Sequence, residues 1–195
     1  MGLSRFQLLL IAAAATLLVA AIWMASSNQE PELNEVGPRH GDGSPIYLFQ
    51  SYDCATCWNF TINGELESIL DAAVASGRSV VWKTVAPGNP YGAVASHCVL
   101  EQFPTQWQSW NEAAFAEQLE PGTGWTSLDR VLFMTEAHFL MPQDQTQIFE
   151  ACLYEGPWQE QVDLDTQWWD NSVPLPALYA DGEWHPATAQ AIRNL

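Results

Sequence analysis

The chain has 195 residues, 48% of them hydrophobic, enough for one good-sized core and not obviously two. Six Lys and Arg against 23 Asp and Glu give a net charge of −17, which argues against nucleic acid or an anionic membrane surface as a partner. The acidic residues are scattered rather than gathered into a tail, the pattern of a solvated surface and not of a dedicated cation-binding face.

At the N-terminus, Arg5 precedes an apolar run from Phe6 to Ala25 that only Gln7 and Thr16 interrupt. About 20 apolar residues are long enough to span a bilayer, and a cleaved signal usually has a shorter hydrophobic core. Ala25-Ser26-Ser27 is nevertheless a passable cleavage site. Export follows from either reading, so residues 1–25 are expected to be a signal peptide or an N-terminal membrane anchor. Residues 26–43 are polar, acidic and rich in Gly and Pro, and read as a flexible linker.

An apolar strand, Ile46-Tyr47-Leu48-Phe49, then leads through Ser51-Tyr52-Asp53 into Cys54-Ala55-Thr56-Cys57. A strand end followed by a helix start places the first cysteine where free N–H groups and the helix dipole favour a thiolate. The second lies about one helical turn on and can attack a mixed disulfide from within. Cys54 is therefore the expected attacking thiol and Cys57 the buried resolving partner. The competing readings are half a zinc site, for which no second Cys or His pair stands at metal spacing, and a short structural disulfide.

Glu65 to Ser76 predicts a helix with Leu66, Ile69, Leu70, Ala73 and Val74 on one face, and Asn63-Gly64 marks a kink or break before it. Ser79 to Val85 predicts a second strand, parallel to the first because a helix intervenes. After Ala86-Pro87-Gly88-Asn89-Pro90 the pattern turns helical: 93–102, 106–119, 127–140, 145–153 and 159–169, punctuated by prolines and glycines. Ser172 to Trp184 predicts a loop, a strand over 177–180, an Asp181-Gly182 turn and a return strand. His185-Pro186 then opens a terminal helix. His97, His138 and His185 read as surface or cap residues.

Four local patterns together resemble the thioredoxin superfamily, and within it the exported bacterial disulfide oxidoreductases of the DsbA type. They are the stretch Pro45–Cys57, the aromatic series Phe103, Trp107, Trp110 and Phe115, the motif Phe149–Leu153, and the segment Val173–Gly182. The resemblance spans about residues 44–195. It implies an α/β chain with a thioredoxin fold and a helical insertion between the second strand and the cis-proline loop. The expected thioredoxin core is 44–87 with 166–195, and the insertion is 88–165. It also implies a cis bond at Pro176, with Pro174 as the competing position, and backbone pairing of an extended substrate at Leu175 and Pro176.

For an exported chain, Cys98 and Cys152 are expected to form a structural disulfide, the alternative being two buried thiols. The function implied is thiol–disulfide exchange with cysteine-containing exported proteins, without cofactor or metal. A membrane redox partner would recycle the pair, in the periplasm or tethered to the inner membrane. The rival is a redox-inactive binding or chaperone module in which Cys54–Cys57 is a permanent structural bond.

Two departures stand out. The family often has an acidic residue six positions before the first cysteine, where this chain has Leu48, so proton transfer to Cys57 must use water or another group such as Asp53 or Gln50. Ala55-Thr56 carries no cation, and Asp53 is adjacent and negative. A Cys54 pKa of about 5 to 7 and a potential between the strongest oxidants and thioredoxin are the expectation.

Overall fold

The strand that delivers the two cysteines is β2, Ser44–Gln50, and it runs through the middle of a five-stranded sheet of order β1-β3-β2-β4-β5. This computed structural model describes residues 33–118, 120–125 and 127–195; the expected signal or anchor over 1–25 lies outside them. Around β2 stand β1 (Arg39–His40), β3 (Arg78–Thr84), β4 (Ala177–Ala180) and β5 (Glu183–Pro186). The β2–β3 pair is parallel, in register from Ser44↔Arg78 to Gln50↔Thr84, while β4 lies antiparallel on the other side of β2. The parallel pair is possible because α1 (Ala55–Ile62) and α2 (Glu65–Ala75) cross between its strands. Gly64, at φ 77, breaks the two helices apart in a left-handed conformation that glycine adopts without strain.

Alternation along the strands sorts two faces. Ile46, Leu48, Val80, Trp82 and Leu178 join Cys57, Phe60, Leu66, Ile69 and Ile192 in the main core. Burying each large apolar side chain is worth about 1.5–3 kcal/mol against leaving it exposed. On the opposite face Phe49 lies against Trp168 and Trp184, with ring centroids 5.9 and 4.9 Å away.

Between β3 and β4 the chain is helical: α3 (Tyr91–Gln102), a 3₁₀ turn (Pro104–Gln106), α4 (Trp107–Ala116), α5 (Leu128–Phe139), α6 (Gln143–Glu155) and α7 (Trp158–Trp168). Two buried tryptophans here find hydroxyl acceptors for their indole N–H groups. Trp107 donates to Ser96 at 2.8 Å and Trp110 to Thr135 at 3.0 Å. Cys98 of α3 and Cys152 of α6 are joined at an S–S distance of 2.03 Å.

The structure corrects three expectations. The end of the expected linker is built into the fold: β1 pairs with β3, the Trp82 N–H donates to the Pro38 carbonyl, and Asn34 meets Lys83. His185 and Pro186 extend β5 instead of opening a helix, and α8 (Ala189–Arg193) starts later, capped by the Thr188 hydroxyl. His97 is neither a surface nor a cap residue. It is 1% exposed and stacked on Trp158, with ring centroids 4.9 Å apart.

A buried ion pair ties α7 to β3. Lys83 Nζ donates to Asp165 Oδ1 at 3.0 Å, Asn34 Oδ1 at 2.7 Å and the Val36 carbonyl at 2.8 Å, which satisfies its ammonium. Asp165→Leu, which strands that ammonium in the interior, should cost about 3–5 kcal/mol in urea unfolding. Adding Lys83→Met to the same variant should recover most of the loss.

Burial, aided by the Lys83 charge, holds the His97 imidazole down at about 4, against 6.5 for the free side chain. The unfolded chain therefore takes up a proton near pH 6.5 that the folded protein refuses until about pH 4. This contribution to stability is full above 6.5 and is lost as the pH falls through that window, by about 3 kcal/mol in all. His97→Phe keeps the stacking and cannot protonate. Its unfolding free energy should fall less steeply than wild type between pH 6.5 and 4.

Candidate active site

β2 ends at Gln50, and the chain turns into α1 through four residues, Ser51 to Cys54. The turn is tied by the Asp53 N–H to the Ser51 hydroxyl (3.1 Å) and by the Cys54 N–H to the Ser51 carbonyl (3.3 Å). Cys54 is itself the N-cap of α1, with extended backbone, and its Sγ accepts from the Cys57 N–H at 3.0 Å. The sulfur thus occupies the acceptor position that a serine or aspartate oxygen usually fills at a helix start. A thiolate is a stronger acceptor than a thiol, so this geometry favours the ionised form.

Cys54 and Cys57 are disulfide-bonded, with Cα atoms 5.2 Å apart. Cys57 is fully buried and Cys54 is half-buried, so an incoming sulfur reaches Cys54 first. Against this pair lies the loop before β4, where the Leu175–Pro176 bond is cis. The Thr56 hydroxyl donates to the Leu175 carbonyl at 2.6 Å and lies 3.1 Å from Cys54 Sγ, which is itself 3.6 Å from that carbonyl. Cys54, Cys57, Leu175 and Pro176 are therefore brought together. Cys98 and Cys152 stand apart from them, in the insertion.

The insertion holds the site from one side. Trp58 Nε1 donates to the Phe115 carbonyl at 2.9 Å, and Tyr52 stacks on Phe115 with centroids 4.8 Å apart. The Tyr52 hydroxyl and Gln50 Nε2 both donate to Asn111 Oδ1, at 2.8 and 3.3 Å. Gln50, named from sequence as a proton carrier, gives its amide N–H to Asn111, while its buried Oε1 has no partner among the described residues.

Asp53, the other named carrier, has a structural neighbourhood that the sequence did not reveal. Its Oδ2 accepts from the Asn89 N–H at 2.6 Å, and the Asn89 side chain donates to the Trp125 carbonyl. A Cβ on Gly124 would overlap Asp53 Oδ1, and one on Gly122 would overlap the backbone of Ala55. Burial pushes the Asp53 carboxyl up, opposed by the Asn89 N–H. Beyond Trp125 opens a cleft of about 490 Å³ whose wall includes Ala113, Met134 and the 72% exposed Phe133. Among the described residues no three His, Cys, Asp or Glu side chains converge in a way that would hold a metal.

No protein-family model and no curated protein sequence matches the chain. Solved structures do match its fold. It is similar to the crystal structure of DsbA from Chlamydia trachomatis, with a TM-score of 0.65 and 16% identity, over 84% of this chain and 91% of that one. Oxidised BdbD from Bacillus subtilis gives 0.64 and 17%, over 85% and 92%. The thiol-disulfide exchange protein α-DsbA2 from Wolbachia pipientis gives 0.63 and 13%, over 87% and 90%. The fold is the DsbA-like thioredoxin fold, with its helical insertion.

The glycine beside Asp53 gives a direct check on how the site is held. Gly124 (φ 63) and Gly182 (φ 90) both adopt positive φ, and an added Cβ would meet nothing within 4 Å at Gly182. Gly182→Ala should cost only the backbone strain, about 1–2 kcal/mol. Gly124→Ala adds the collision with Asp53 and should cost roughly 3 kcal/mol or more. Thermal unfolding measures both, and only Gly124→Ala should alter the alkylation rate of Cys54 in the reduced protein.

Proposed function

We propose that the chain is an exported thiol–disulfide oxidoreductase that exchanges disulfides with cysteines of exported proteins. One observation carries this: a half-buried Cys54 capping α1 over a fully buried Cys57, with the Leu175–Pro176 loop against the same sulfur. A permanent structural bridge has no use for a partly open sulfur facing a loop that can pair with an extended chain. The similar folds named above, one of them described as a thiol-disulfide exchange protein, support the same reading.

The exchange takes two steps. In the reduced protein the Cys54 thiolate attacks one sulfur of a substrate disulfide. The Cys54–substrate bond forms as the substrate bond breaks, and the released thiolate takes a proton from water. Cys57 then attacks Cys54 Sγ, closing the Cys54–Cys57 bond and releasing the second substrate thiol. Read backwards, the same steps oxidise a substrate dithiol, and a membrane redox partner would then restore the disulfide. Export rests on the apolar run at residues 6–25. Among the described residues no helix is long and apolar enough to cross a membrane.

Cys54→Ser should abolish exchange, while Cys57→Ser should still attack a substrate disulfide through Cys54 and accumulate mixed disulfides visible on non-reducing gels. Alkylation of Cys57 in preference to Cys54 in the reduced protein would reverse the assigned roles. Equilibration with glutathione should place the pair between roughly −270 and −120 mV. A potential far below about −300 mV would favour instead a binding module with a structural Cys54–Cys57 bond.

A further inference from the structure

Thr56 stands between the redox pair and the loop that precedes β4. Its Oγ1 donates to the Leu175 carbonyl at 2.6 Å and lies 3.1 Å from Cys54 Sγ. A hydroxyl has one hydrogen to give and lone pairs to receive with. In the disulfide state neither sulfur carries charge, and the hydrogen goes to Leu175. Reduction changes the competition, because it places a thiolate at Cys54 Sγ. A hydrogen bond to an ionised acceptor is roughly twice as strong as one to a neutral acceptor. Both acceptors are already within reach of Oγ1, so moving the hydrogen between them takes only a rotation about Cβ–Oγ.

We propose that Thr56 is a positioning residue that couples the redox state of Cys54–Cys57 to the Leu175 carbonyl. Its hydroxyl caps that carbonyl in the oxidised protein. In the reduced protein it turns to the Cys54 thiolate and leaves the carbonyl open to a backbone N–H. The inference rests on the exchange activity proposed above and names the class of partner it prefers. Reduced Cys54 reacts with disulfides, so the segment that gains the open carbonyl is an extended polypeptide carrying a disulfide. Thr56 is exposed and Leu175 half-buried, which leaves both within reach of such a segment. A thiol-bearing segment meets the oxidised protein with one of the carbonyl's two lone pairs already engaged, so product and substrate are not held equally.

Thr56→Val keeps the branched shape and loses the hydroxyl, whereas Thr56→Ser keeps the hydroxyl. Titration of thiolate absorbance should show the Cys54 pKa rising by about one unit in Thr56→Val and staying near wild type in Thr56→Ser. With leucine labelled at its carbonyl carbon, the Leu175 resonance should shift when wild type is reduced with dithiothreitol at pH 8. In Thr56→Val it should not. A cysteine-free extended heptapeptide should bind reduced wild type about fivefold more tightly than oxidised wild type, and both states of Thr56→Val alike. A Leu175 resonance unmoved by reduction in wild type, or a Thr56→Val protein with the wild-type Cys54 pKa, overturns the proposal. None of these measurements needs turnover. A protein that showed the three effects yet exchanged no disulfides would lose the proposed function and keep the coupling.

Discussion

The bond from the Asn89 N–H to the Asp53 carboxylate is the contact on which the site depends. Asp53 belongs to the turn that delivers Cys54, Asn89 to the segment that leaves β3, and Trp125, which Asn89 also holds, to the stretch between α4 and α5. Three chain segments of unrelated sequence thus converge on one side chain. They can do so because Gly124 and Gly122 have no Cβ to keep the loop away from Asp53 and Ala55. The helical insertion is consequently fastened to the thioredoxin core at the residue next to Cys54, so loop geometry and cysteine geometry are set together. The cost is a carboxyl held where burial disfavours its charge.

Charge is distributed around this site by omission. Lys83 is consumed in the interior by Asp165, and Arg78 forms a forked pair with Asp181 at 3.1 and 3.2 Å. The groups at Cys54 Sγ are a backbone N–H and a threonine hydroxyl, both neutral. On a chain of net charge −17, a thiolate held by these neutral donors and the start of α1 stands in a predominantly negative surround. The same excess of negative charge favours cationic polypeptides as encounter partners and repels acidic ones, an effect that weakens as salt rises.

The sheet and the site were legible in the sequence where local chemistry sufficed. β4 occupies residues 177–180 because Ala-Leu-Tyr-Ala lies between a proline and an Asp-Gly turn, and the break between α1 and α2 falls at the glycine. β1 left no signal, since two polar residues among glycines carry no periodicity and are held by partners 42 and 40 positions away (81 − 39 and 80 − 40) in β3. The Lys83–Asp165 pair spans 82 positions and was equally invisible, although a lone lysine inside Val-Val-Trp-Lys-Thr was a hint of a buried charge. The burial of His97 could have been found. From Gly92 to Val99 the helix has no strongly polar face, and a helix apolar all round is buried, histidine included. The neighbourhood of Asp53 was beyond reach, because nothing in Gly122 or Gly124 says which side chain they make room for.

The outer strands of the sheet bear on what an extended polypeptide could do at its edges. An open sheet edge is a template on which any extended polypeptide can add itself. Here one edge is β1, two residues long, and the other is β5, four residues long and ending in Pro186, which has no N–H to donate. Neither offers a run on which a client could grow a strand. Under the proposed activity, a visiting chain would find its backbone partners at the loop beside Cys54 and not along a sheet edge. The same short edges keep one copy of the chain from adding its sheet to that of another.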